Sequence, residues 1–262
     1  MSDKREIIRV ENLRRYFMVG GEEVHALRGV SFSIREGEFV TIMGTSGSGK
    51  STLLNLLGCL DTPTKGEYIL DGTSVQTMSK NERAVTRNRK IGFVFQNYNL
   101  LPKTTAVENV ELPLLYNSSV SSRERRERAI AALEAVGLKE RLYHKSNQMS
   151  GGQQQRVAIA RTLANHPKIL LMDEPFGALD AMTKAKIQED LLQLQKENGF
   201  SVCMVTHDIE EAVALSDRII VVDGKPAEIK TIVSVNIIDR KDHHGEDFLS
   251  LKNMILNMME EK

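Results

Sequence analysis

Short apolar runs bounded by turn residues fill the first seventy positions. Residues 7–10, 30–34 and 38–43 read as β-strands, with Gly20-Gly21 and Glu36-Gly37 as the turns between them. Residues 67–70 followed by Asp71-Gly72 read as another strand and turn. A helix is expected to start at Gly49, run through residues 51–60 and stop at Thr62-Pro63. The period then changes, and from about residue 97 to residue 160 the pattern is mostly helical. There Ser121-Ser122 can cap a helix that opens with Arg123, Glu124, Arg125, Arg126, Glu127 and Arg128, turns apolar over residues 129–136 and ends at Gly137. After Asn165-His166-Pro167 the chain returns to strand, helix, strand at residues 169–172, 183–197 and 201–206. Strands alternating with helices predict an α/β chain with a parallel core. In the tail, residues 229–238 alternate like a strand, and Phe248, Leu251, Ile255, Met258 and Met259 recur at helical spacing, which predicts an amphipathic terminal helix packed on the domain.

Composition narrows the functional classes. The chain has 262 residues, enough for one large domain or two lobes sharing a core. Its 35 basic and 35 acidic residues cancel, which argues against a nucleic-acid partner, since such binding needs a basic face. Hydrophobic residues make up 41% with no tryptophan, the balance of a soluble globular protein. The two cysteines, Cys59 and Cys203, lie in apolar segments and read as buried reduced thiols with no metal-ligand spacing. Residues 1–9 are charged and lack the apolar centre of a signal peptide. The longest apolar patches, residues 169–172 and 219–222, fall far short of the roughly 18 apolar residues of a spanning helix. The chain is therefore not expected to cross a membrane itself, and any part in transport must be exercised through another polypeptide.

Chemistry concentrates in two places. Gly44, Thr45, Ser46, Gly47, Ser48, Gly49, Lys50 and Ser51, followed by Thr52, form a glycine, four residues and Gly-Lys-Ser between an apolar strand and a helix. Glycines let the backbone curl so that several N–H groups face a phosphate, and the helix N-terminus adds its positive end. Lys50 can neutralise the β- and γ-phosphates, and the Ser51 hydroxyl can ligate Mg²⁺. By itself this loop indicates a nucleotide and does not choose between a kinase, a GTPase and a motor. The apolar strand at residues 169–172 ends in Asp173 and Glu174. Asp173 at the strand tip is placed to help organise Mg²⁺, and Glu174 to polarise an attacking water as general base. Two acids after a strand are a weak signal alone and a specific one when paired with the phosphate loop.

Between these two lies Ser150, Gly151, Gly152, Gln153, Gln154, Gln155, Arg156. It resembles the signature motif of ABC (ATP-binding cassette) ATPases, with Met149 in place of the usual leading leucine. The serine and glycine amides precede a helix and so make a second anion site on the same chain. In the family that site, here Ser150, Gly151, Gly152 and Gln153, binds the γ-phosphate of ATP held by a partner subunit. The resemblance therefore implies a head-to-tail dimer with two ATP molecules sandwiched between two copies. It further matches Gln96 to the glutamine that reaches Mg²⁺ and the water and senses the membrane partner. It matches Asp180, in Ala178-Leu179-Asp180, to the loop linking the two sites. It matches His207 to the switch histidine on the γ-phosphate, and Tyr16 to the aromatic that stacks on adenine, with Phe17 adjacent. The implied fold is a phosphate-loop NTPase core of the RecA type, with an N-terminal antiparallel β subdomain and a helical lobe at about 97–160. The ATPase domain is expected over 1–228 and a C-terminal extension over 229–262.

The same resemblance implies ATP and Mg²⁺ as cofactors, an integral-membrane permease as partner, and a peripheral place at the cytoplasmic face of the cell membrane. Val24-His25-Ala26-Leu27-Arg28-Gly29-Val30 and the stretch 93–116 look like the ATPases of lipoprotein release and macrolide export. The stretch 173–183 looks more like those of nitrate, sulfonate or taurine importers. The helical lobe docks the permease in this family, so the first likeness weighs more, and an export or mechanotransmission type is expected. Leu100, Leu101, Val107, Val110, Leu112, Leu114 and Leu115 are candidates to line that docking groove, with ordinary core as the competing expectation for each. A soluble ABC ATPase of DNA repair or the ribosome would bring two cassettes or a coiled-coil insertion. A small-molecule kinase would lack the signature. A non-hydrolysing ATP sensor would not need Glu174 and His207.

Overall fold

The computed structural model describes residues 4–240 and 242–260. In chain order the elements begin with β1 (Glu6–Val19), β2 (Glu22–Arg35), β3 (Phe39–Gly44), α1 (Lys50–Leu57), β4 (Lys65–Leu70), β5 (Thr73–Ser74) and α2 (Lys80–Lys90). They continue with β6 (Ile91–Val94), α3 (Ala106–Glu111), α4 (Ser122–Ala135), α5 (Gly151–Leu163), β7 (Ile169–Asp173) and α6 (Ala181–Asn198). They close with β8 (Ser201–Val205), α7 (Ile209–Leu215), β9 (Arg218–Asp223), β10 (Glu228–Ser234) and α8 (Glu246–Glu260). Two compact units divide this order: Met1–Arg83 with Ser201–Lys262, and Ala84–Phe200.

In the first unit, β1 and β2 form one long antiparallel hairpin. Its turn is Gly20 and Gly21 at φ +63° and +91°. Two successive left-handed residues match the twist of the flanking strands, and glycine takes them without strain. The hairpin is longer than the short apolar runs suggest, because its far half is mixed in polarity and half exposed, so no alternation marks it. With β4 and β5 it makes an antiparallel sheet in the order β2-β1-β4-β5.

The same unit holds the strand run β10-β9-β3-β8. There β3 lies parallel to both β8 and β9, and β10 returns antiparallel to β9. Every residue of β3 and β8 is buried, which is why both read as near-continuous apolar runs. The one polar side chain of β3, Thr41, is satisfied by Ser216, whose Oγ lies 2.5 Å from the Thr41 Oγ1. The two cysteines are buried, and burial pushes the Cys203 thiol up to about 12, so it is inert as a nucleophile.

The tail closes this unit. Helix α8 buries Phe248 and Ile255 against Met43, Ala212, Val213, Ile219 and Val221. Lys252 Nζ also reaches Glu210 Oε1 of α7 at 2.5 Å. Met43 is the last side chain before the phosphate loop, so α8 supports the strand that carries it. Emptying the Phe248 site leaves a cavity, and Phe248→Ala is expected to cost about 3–5 kcal/mol and lower the thermal midpoint by about 10 °C. An unchanged midpoint in a calorimetric scan would refute the tail's share in the core.

In the second unit β6 and β7 pair in parallel from Ile91↔Ile169 to Val94↔Met172. Gly92 is required there, because a Cβ would lie 2.5 Å from Leu170 Cδ2 and 2.8 Å from Thr162 Cβ. Helix α4 starts at its cap Ser121, whose Oγ accepts from Glu124 N at 3.2 Å, and the chain leaves it through Gly137 at φ +75°. Helix α3 opens on a capping box, in which the Thr105 backbone N–H, then its hydroxyl, hold the Glu108 carboxyl below the usual range. Of the residues expected along a docking groove, Val107, Val110 and Leu114 are fully buried core, whereas Leu101 and Leu115 are exposed. Helix α2 has no counterpart in the sequence reading, since none of its residues is buried and no apolar stripe marks it.

Candidate functional site

The phosphate loop belongs to the first unit. It leaves β3 at Gly44 and enters α1 through Gly49, the residue capping that helix at φ +80°. Gly47 is also left-handed, at φ +77°. A Cβ on Gly44 would collide with the Val222 carbonyl, and one on Gly49 would lie 2.8 Å from the Ala26 carbonyl, so both positions exclude any larger residue. Lys50 folds back over the loop, its Nζ donating to Gly44 O at 2.9 Å and Thr45 O at 2.7 Å. Thr45, Ser46 and Ser51 are exposed, and Thr52 is half-buried. Ser48 Oγ is buried without a hydrogen-bond partner among the described residues. An orphaned hydroxyl, a curled glycine backbone and an ammonium parked on carbonyls together fit an oxyanion such as a nucleotide phosphate.

The same unit carries Tyr16 and His207. Tyr16, on β1, stacks on His25 of β2 with ring centroids 4.0 Å apart and planes 28° apart, and His25 Nε2 lies 2.8 Å from Glu23 Oε1. His207 is exposed in the short link between β8 and α7. Its neighbours are fixed: Thr206 Oγ1 donates to the buried Glu211 at 2.6 Å, and Asp208 N donates to Thr206 Oγ1 at 3.1 Å. Asp208 then caps α7 through the amides of Glu210 and Glu211. Sequence reasoning passed over Lys225, in the turn from β9 to β10. Its Nζ lies 3.1 Å from where a Gly47 Cβ would be, and a lone turn lysine gives no local signal of that.

The second unit holds the acids and the signature. Asp173 ends β7 and Glu174 follows at φ +44°, a left-handed conformation for a residue with a Cβ. Such strain persists where the surroundings over-determine it and is common where a side chain must be aimed. Here the Glu174 carbonyl accepts from Gly177 N at 3.3 Å, and Gln96 Nε2 reaches Glu174 Oε2 at 3.5 Å. The structure thus brings Gln96 and Glu174 together.

Ser150 caps α5 as part of a capping box. Its Oγ accepts from Gln153 N at 3.3 Å, and Gln153 Oε1 accepts from Ser150 N at 3.0 Å. Gly152 is forced by packing, since a Cβ would run into Thr183 of α6. Asp180 caps α6. The Thr183 backbone N–H, then its side chain, bond its carboxylate and hold it below the ordinary range. Among the described residues no group of three or more His, Cys, Asp and Glu side chains could hold a metal by itself. Mg²⁺ is usually held by one or two carboxylates together with substrate phosphates, and oxygen donors of that kind stand in each unit, Ser51 in the first and Gln96 and Asp173 in the second.

Comparison with known proteins adds four findings. A family model described as ABC transporter matches residues 27–177. An uncharacterised ABC transporter ATP-binding protein of Methanocaldococcus jannaschii, MJ0796, is 52% identical over 217 residues, covering 82% of this chain and 92% of that protein. A solved dimeric structure of the MJ0796 cassette in a post-hydrolysis state, bound to ADP and Pi, superposes with a TM-score of 0.78 at 46% identity, over 88% of this chain and all of that one. The macrolide export ATP-binding/permease protein MacB of Syntrophobacter fumaroxidans is 50% identical over 204 residues, which are 78% of this chain and 28% of that protein.

Proposed function

This chain belongs to the ABC transporter family as one of its ATP-binding, ATP-hydrolysing subunits, and we propose that it works as a head-to-tail dimer that closes on two ATP molecules and so drives a separate permease in the membrane. The observation that carries this reading is the pair of helix N-termini built for anions on one chain: the phosphate loop entering α1, and the capped Ser150 turn entering α5. The second needs a phosphate from elsewhere, and a second copy of the chain supplies one. The dimeric, ADP- and Pi-bound cassette of MJ0796 supports a dimer that binds and hydrolyses nucleotide.

In this reading Lys50 leaves the Gly44 and Thr45 carbonyls for the β- and γ-phosphates, and Ser46, Gly47, Ser48, Gly49 and Thr52 complete the cradle. Tyr16 stacks on adenine. Ser51, Gln96 and Asp173 hold Mg²⁺, which when bound neutralises charge on the phosphate oxygens. Glu174 takes the proton of the attacking water, Gln96 orients that carboxylate, and His207 contacts the γ-phosphate. Ser150, Gly151, Gly152 and Gln153 of one copy receive the γ-phosphate held by the other, with Asp180 linking the two sites. Loss of that bridging phosphate removes the contacts that favour the closed dimer, and the population shifts back to open. Residues 1–228 act as the ATPase domain, and 229–262 as an extension packed on it.

No helix among the described residues is long and apolar enough to cross a membrane. In this reading the subunit is held peripherally at the cytoplasmic face by its permease, as membership of a transporter family supports. The macrolide-export relative, which as its name states joins ATP-binding and permease functions, supports an export or mechanotransmission type. The test is co-purification from native membranes with Glu174→Gln and ATP. A permease with few spanning helices and a large outer domain is expected. A many-helix permease with a solute-binding protein would overturn the export reading in favour of import.

A further inference from the structure

After β6 the loop that carries Gln96 holds two successive non-glycine residues in the left-handed region, Tyr98 at φ +56° and Asn99 at φ +49°. Each conformation is sparsely populated for a residue with a Cβ, and two in a row persist only where something else holds them. Like neighbours in a helical turn, such residues aim their carbonyls to the same side. Arg161, in the last turn of α5, takes both: Nη1 donates to Asn99 O at 2.6 Å and Nη2 to Tyr98 O at 2.9 Å. A planar guanidinium fits two adjacent acceptors where a point-charge ammonium does not. Arginine stays charged in proteins, so these are charge-assisted bonds, and they lie in a partly water-excluded place where burial lowers the Arg161 pKa.

The side chain of Tyr98 runs to the other end of the same helix. A Cβ on Gly151 would lie 3.0 Å from Tyr98 Oη. Gly151 is the first residue of α5 and follows Ser150. The ten residue steps from Gly151 to Arg161 span about 15 Å of helix, a distance bridged jointly by the Arg161 side chain, which meets the loop backbone, and by the Tyr98 ring, which reaches the start of α5.

We propose that Arg161 is a positioning residue and Tyr98 a strut, which together lock the Gln96 loop to α5 so that Gln96 and the Ser150 turn move as one body. This rests on the reading of Ser150, Gly151 and Gly152 as the receiver of a partner's phosphate. Closure on that phosphate then sets Gln96, and through it Glu174, without a separate adjustment of the loop.

The test is steady-state ATP hydrolysis by the full chain, with nucleotide affinity and thermal midpoint measured in parallel. Arg161→Met is expected to lower kcat about tenfold, with KM and ATP affinity within about twofold of native, since the phosphate loop is untouched. Arg161→Lys keeps the charge but not the fork and is expected to behave like Arg161→Met. Adding Asn99→Gly to Arg161→Met is expected to recover part of kcat, because glycine takes φ +49° freely, a rescue that a purely structural role for Arg161 would not give. Should the arginine variants fail to fold, Tyr98→Ala tests the other half and is expected to show the same kcat loss at unchanged KM. Native kcat in Arg161→Met, or in Tyr98→Ala, overturns the strut. Ser150→Arg separates the two levels: native hydrolysis there refutes the signature reading, whereas a dead Ser150→Arg beside a native Arg161→Met refutes only the strut.

Discussion

Glu174→Gln binds ATP with near-native affinity and hydrolyses it at least about a hundredfold more slowly, the usual scale for losing a positioned general base. The substitution keeps shape and removes the ability to accept a proton. The hydrogen bond from Gln96 Nε2 at 3.5 Å now meets an amide that can turn its own oxygen to it, so the loop geometry survives. The left-handed backbone at position 174 is no worse for glutamine than for glutamate, so stability should be unchanged. Binding and turnover separate cleanly for this reason. With the bridging phosphate never cleaved, the closed dimer accumulates, and light scattering with and without ATP measures it. Turnover at the native rate would remove Glu174 from the role of base, and accumulation without ATP would remove the nucleotide from the interface.

Lys50→Ala loses nucleotide affinity by about tenfold to a hundredfold, the range for a charge-assisted hydrogen bond to phosphate. The lysine already sits on the Gly44 and Thr45 carbonyls, so its ammonium is held at the loop in advance. Its removal deletes the one charge aimed at the phosphates from within the loop, and it leaves two carbonyls facing where a triphosphate must lie. The fold should tolerate the change, because Thr45 is exposed and water can replace the ammonium at its carbonyl. Titration with a fluorescent ATP analogue gives the affinity, and an unchanged dissociation constant would overturn the phosphate-loop assignment.

The parts of the molecule that announce themselves in the sequence are those whose cause is local. Strands β3 and β7 are legible because burial on both faces demands continuous apolar residues. The phosphate loop is legible because its glycines answer to sterics within a few residues, Ser121 because a cap acts three residues away, and Ser150 because it stands in a contiguous motif. The remainder depends on partners far along the chain. The Tyr98 and Asn99 carbonyls meet a guanidinium 63 and 62 residues away. Tyr16 finds His25 only once a hairpin of unmarked length has set its register. Lys225 lies beside Gly47 through the packing of two separate turns. The apolar candidates between residues 100 and 115 divide between the two expectations held for them, core and groove, for a related reason. An apolar side chain reads the same whether a neighbouring helix or a partner protein covers it, and Val107, Val110 and Leu114 are covered from within.

The central position of β3 has a bearing on how the chain is made. Both strands that flank it, β8 and β9, come late: Phe39 pairs with Val202, and Val40 with Arg218. During synthesis at about 5–20 residues per second, this fully buried strand waits on the order of ten to thirty seconds for its first neighbour. Through that interval residues 84–200 emerge as a unit able to form their own contacts, while β3 has neither edge paired. A newborn chain therefore presents one sticky ribbon for as long as the ribosome needs to finish the insertion, and that ribbon is the segment from which the phosphate loop will hang.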